Sequence, residues 1–199
     1  SLAAGVTPPP TGALERAARR CAPAEGHPAV AKLVAKMALK EEDREALQTA
    51  FLQAIAGLTE EAKAAGIEND CAGGLAVLVA ARHLILRGTD LSDDASKKVA
   101  WQLQAALDTA PVRKLADADR RAVHEWAVCT AVFLLSLRQV AQESGEADQR
   151  KAVVALADKV VGDLFGVEGT RIAAGEGGLS IAEALTEATR VALLGARER

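Results

Sequence analysis

Residues 124–137 read HEWAVCTAVFLLSL, and no other stretch limits the fold so strongly. On a helical period Ala122, Trp126, Cys129, Phe133 and Leu137 form one stripe, while Val123, Val128, Val132, Leu134 and Leu135 cover most of the remaining circumference. A helix that is apolar all round needs neighbours on every side, so it belongs at the centre of a bundle. It is too short to cross a bilayer. Its uncharged run, Trp126 to Leu137, is twelve residues with Thr130 and Ser136 inside it, against roughly 17 to 20 for a span.

The rest of the chain supplies those neighbours. Ala29 to Met37 is a short amphipathic helix behind Pro28, and Leu47, Phe51, Leu52, Ile55 and Leu58 mark a second that stops near Gly66. Asn69 and Asp70 cap a third, which carries Leu75, Leu78, Val79 and Leu86 inward, ends at Gly88, and has Gly73 and Gly74 where a backbone can approach. Ser92 opens a fourth, with Val99, Leu103 and Leu107 inside, Trp101 on the rim, and Asp93/Lys97 and Asp94/Lys98 spaced as i,i+4 pairs; Pro111 closes it. Asp117 caps the long fifth helix, to Gly145. A sixth from Glu146 to Phe165 and Gly166 places Val153, Leu156, Ala157, Val160 and Leu164 on one face. The glycine-rich GVEGTRIAAGEGG leaves room for a short extended piece, and Ser180 with Glu183 forms a capping box for a last helix. The expected fold is all-α: one domain over 28–199, a bundle of six or seven helices, behind a flexible Pro/Gly-rich tether and loop at 1–27.

Charge and composition remove whole classes of function. With 24 basic and 27 acidic residues the net charge is −3, too small to draw the chain to nucleic acid or anionic lipid. Aromatics make up 3% and Tyr is absent, so base-stacking platforms are missing and the core must be Ala, Leu and Val. The basic clusters around Arg16 to Arg20 and Arg113 to Arg121 are short, separated and free of interleaved aromatics. They read as solvated faces.

Metal and catalytic motifs fail on spacing. His124-Glu125 opens like a zinc-protease helix, but the i+4 position that would supply the second imidazole is Val128. The GEGG at Gly175 to Gly178 lacks the GK[ST] ending of a phosphate-binding loop. Neither a metal nor a cofactor is expected. Five polar positions remain as site candidates: Arg82 and His83, which interrupt an apolar helix and could recognise an anion in a groove or simply sit at its solvated edge; His124 and Glu125; and Arg171. A carboxylate one turn into an apolar helix needs a basic partner, Arg82 or Arg121. Of the three cysteines, Cys21 lies in the CAPAEGHP loop and Cys71 at a helix start, where a disulfide would tie the tether to the body. Cys129 reads as a buried thiol. The alternative is that all three are small apolar fillers of a cytoplasmic protein.

The segments NDCAGGLAVLVAARHLILRGTDLS, LADADRRAVHEWAVCTAVFLLSLRQVAQESG and VVGDLFGVEGTRIAAGEGGLSI, in that order, resemble a family of uncharacterised bacterial exported proteins, a domain of unknown function. The likeness runs over about Ala46 to Ile181 and rests on Asn69-Asp70, Glu125, Phe165-Gly166-Val167, Arg171 and Gly178-Leu179; Cys71 and Gly73-Gly74 depart from it. It implies a helical fold and a secretory signal, and no activity. The start at Ser1, followed by LAAGVTPPPTG, agrees with a cut signal peptide or with an artificial start. The expectation is a non-catalytic exported protein, periplasmic or secreted, that binds another protein or itself. A carrier of a small apolar ligand between helices comes second and an enzyme third.

Overall fold

The computed structural model describes residues 26–64, 70–107 and 115–180. Within these, six α-helices lie in sequence: α1 (Pro28–Ala35), α2 (Glu41–Ala64), α3 (Cys71–Arg87), α4 (Asp93–Leu107), α5 (Asp117–Glu143) and α6 (Ala147–Phe165). They are followed by a 3-10 turn (Gly169–Arg171) and a two-residue hairpin, β1 (Ala174–Gly175) with β2 (Gly178–Leu179). The expected all-α single domain is therefore the observed one. Residues 1–25 of the expected tether and loop, with Cys21 among them, and Gly66, Asn69, Pro111 and the expected last helix beyond Ser180 lie outside the described residues.

α5 is the reason the parts cohere. One of its sides, through Ala127, Ala131, Leu134 and Ala141, enters a large core made with α3, α4, α6 and the hairpin; Leu75, Leu78, Val99, Leu103, Val161 and Phe165 fill it. Its other side, through Val128 and Cys129, completes a smaller core with Val30 and Val34 of α1 and Phe51 and Ile55 of α2. Two cores sharing one wall account for a helix apolar all round. The stripe expected on α5 is corrected by this geometry. Ala122 is exposed, Trp126, Phe133 and Leu137 are half-buried, and the burial falls on the rows through Arg121, Glu125 and Val128 and through His124, Ala127, Ala131 and Leu134. Small residues on the inner rows let α3 and α6 come close, and the bulkier ones fill the margins.

Local signals set the helix ends. The Asp70 carboxylate accepts the Ala72 N–H at 2.9 Å, and Ser92 Oγ accepts the Ala95 N–H at 3.2 Å. α3 stops at Gly88 (φ 76°) and α6 at Gly166 (φ 65°), the left-handed termini that glycine makes inexpensive. Asp117 proves to be the first helical residue of α5, with Ala116 at the cap and no side-chain cap bond. On α4, Lys98 reaches the Glu176 carbonyl at 2.7 Å instead of pairing with Asp94. On α6 the buried row is Val153, Ala157, Val161 and Phe165, a strict i,i+4 progression, and Leu156 is 37% exposed.

The segment after α6 is fastened by close backbone approach. A β-carbon on Gly169 would lie 2.1 Å from the Asp158 carbonyl oxygen, so only glycine lets the 3-10 turn sit on α6. The hairpin is held by Gln102 of α4, whose amide donates to the Leu179 carbonyl (3.2 Å) and accepts the Leu179 N–H (2.6 Å). One side chain thus serves as a third strand.

Candidate functional site

Two polar centres lie along α3 and its neighbours, and the sequence candidates divide between them. The first is at the start of α5. Glu125, 0% exposed, takes the Arg121 Nε–H at 2.7 Å and His27 Nδ1 at 2.8 Å on the same oxygen, Oε1. A carboxylate beside a guanidinium only accepts, so the His27 proton is on Nδ1. His27 reaches it from a left-handed backbone conformation, φ 45° and ψ 62°, at the head of α1. That geometry is costly for a residue with a β-carbon, and the bond to Glu125 holds it. Glu125 Oε2 and His124 Nδ1 make no hydrogen bond.

His124 is buried against the start of α3. A β-carbon on Gly74 would lie 2.7 Å from the His124 carbonyl oxygen and 3.0 Å from Nδ1, so Gly74 is where α5 and α3 meet backbone to backbone; Gly73 has open space around it. Burial, reinforced by the Arg121 charge, pushes the His124 pKa down to about 4, and the imidazole is neutral. Burial pushes the Cys129 thiol up to about 12, with the Glu125 charge adding to it, and the thiol is free. It is inert at neutral pH. Close by, Gln104 of α4 donates to Asp70 at 2.7 Å, tying the α3 cap to α4.

The second centre lies about 12 Å further along α3, eight residues on at 1.5 Å each. Arg82, 3% exposed, donates Nε to Asp158 of α6 at 2.8 Å, Nη2 to the same oxygen at 2.5 Å and to the Gly169 carbonyl at 2.6 Å, and Nη1 to the Ile172 carbonyl at 2.8 Å. Of the two readings of Arg82, the solvated edge is corrected by this burial. Its planar fork instead joins α3, α6 and the turn, a task the single ammonium of lysine cannot perform. Arg82 and His83 line a cleft of about 280 Å³ with Leu86, Arg87, Asp158 and residues 170 and 172–174. Arg171 is exposed on the 3-10 turn beside this cleft and does not line it.

The five candidates therefore form no single site. His124 and Glu125 go with His27 and Arg121, and Arg82 and His83 go with Asp158. Among the described residues no three His, Cys, Asp or Glu side chains come together as a metal site, and no helix is long and apolar enough to cross a membrane. Asp158 was not singled out in the sequence, although an acid next to Ala157 on the buried row of α6 signals a partner. His27 was legible only as a loop residue.

Against known families, the model of a family of unknown function (DUF6683) matches residues 3–182. The chain belongs to that family. No curated protein and no solved structure matches it. The DUF6683 match spans the described helices, the Glu125 centre and the Arg82 clamp alike. It agrees with the expectation of an uncharacterised family.

Proposed function

We propose that this protein is a non-catalytic helical module that works by contact with another protein or with a second copy of itself, through the open shoulder of α2. What supports this is the economy of α2. It is 24 residues long, yet only Phe51 and Ile55 of its described side chains are buried, and Leu47, Ala54 and Leu58, which lie beside that row on the helical period, are only partly covered. Leu47, Leu52, Ala54 and Leu58 pack against the small core without being fully covered by it, and the apolar surface they keep is what a partner would cover. The ionisable groups point the same way, because Glu125 is sealed from solvent and the Arg82 fork is committed to internal acceptors. A carrier of an apolar ligand ranks second; the cleft beside Arg82 favours it, and the charged lining weighs against apolar cargo.

Sedimentation velocity over rising concentration, combined with photo-crosslinking from residues 47 and 58 in the producing cell, tests this reading. We expect a dimer or a single protein adduct that Leu47→Glu/Leu58→Glu abolishes. A strict monomer with no adduct from either position would sink it.

The same reading places the protein outside a bacterial cytoplasm, in the periplasm or secreted after removal of a signal peptide, with Cys21 and Cys71 paired. Its support is that Cys71 is engaged rather than free, whereas Cys129 is a free buried thiol. Disulfides persist in oxidising compartments. The intact mass without reductant should be lighter by two hydrogens, with the peptides of Cys21 and Cys71 linked.

A further inference from the structure

We propose that the cleft beside the Arg82 clamp binds a small organic anion, its charged head against His83 and Arg87 and its apolar remainder on Leu86 and Ala174. The inference is independent of the α2 reading. A volume of about 280 Å³ lies at the lower edge of the roughly 300 to 1,000 Å³ of ligand pockets, so it suits a small metabolite.

Charge decides the class of ligand. Among the described residues the only carboxylate lining the cleft, Asp158, is neutralised by Arg82 at 2.5 Å. Arg87 and His83 have no hydrogen-bond or ion-pair partner among the described residues, which leaves the lining with a net positive charge. Arg87 is the last residue of α3, and a helix end of that polarity disfavours anions with about half an elementary charge. The full guanidinium charge outweighs it. The walls are also held in place before any ligand arrives, since one buried guanidinium fixes α3, α6, Gly169 and Ile172 relative to each other. Preorganisation of this kind lowers the entropic cost of binding. Leu86 and Ala174 are half-buried and give an alkyl chain a surface that inorganic phosphate cannot use.

The test is a titration of the full chain with hexanoate, followed by NMR on the His83 ring signals, beside hexanamide and inorganic phosphate. Saturation by hexanoate in the millimolar range is expected for a ligand of this size. Arg87→Ala, and Arg87→Gln which keeps most of the alkyl stem, should each weaken it about tenfold, and Arg171→Ala should leave it unchanged. Hexanamide should not saturate the site, and phosphate should bind more weakly. The proposal is overturned by a non-saturating response to hexanoate, by equal binding to the Arg87 and Arg171 variants, or by equal binding of phosphate or hexanamide.

Discussion

At the scale of single residues, Glu125 carries the largest stake. Its carboxylate is fully buried and shared between Arg121 and His27, and removing one partner of a buried pair typically costs about 3 to 5 kcal/mol. Glu125→Gln keeps the shape but leaves Arg121 without its counter-charge, so we expect a loss of roughly 2 to 4 kcal/mol in urea unfolding; unchanged stability would remove the structural role argued for this residue. His124 gives a pH signature. Its folded pKa, about 4, lies below the unfolded value of 6.5, so between these the unfolded chain binds a proton that the folded chain refuses. Stability is fully present above pH 6.5, falls as the pH drops through the window and levels off below about 4, a change of roughly 3 kcal/mol. Carboxylates titrate in the lower part of this range, so the contribution is the difference between the wild type and His124→Gln, whose profile should be flatter.

At the scale of elements, the joints decide. Gly74→Ala would press a methyl group on the α5 backbone at His124, and since backbone on both sides must yield, we expect a cost of about 1 to 3 kcal/mol, read as a lowered Tm. Arg82→Lys keeps the charge and loses the fork; it should destabilise by about 2 to 4 kcal/mol and expose the segment after α6 to proteolysis before the helices melt. Much of this level was legible in advance. Asp70, Ser92, Gly88 and Gly166 announce helix ends because capping is local chemistry. The partner of Arg82 was not legible, because Asp158 lies 76 residues away and only packing brings it there. The inner rows of α5 were misjudged for a related reason. Sequence ranks residues by size and apolarity, whereas the tightest helix contacts here select the small residues Ala127 and Ala131 and admit charged ones that find partners.

At the scale of the whole molecule, the shared wall has a dynamic consequence. The smaller core joins α1 and α2 to the body through Val128 and Cys129, while the larger core is closed by α3, α4, α6 and the hairpin on the far side of α5. The two halves need not melt together. Native-state hydrogen exchange should sort the amides into two tiers, with α1 and α2 opening as a cooperative unit of lower free energy and α3, α5 and α6 exchanging only on global unfolding. Phe51→Ala, at a typical cost of about 3 to 5 kcal/mol, should accelerate the first tier and leave the second nearly untouched. In that intermediate state Cys129 would lose its cover while the fold around Arg82 persisted, so a thiol reagent would count the openings of one half of the molecule without disturbing the other.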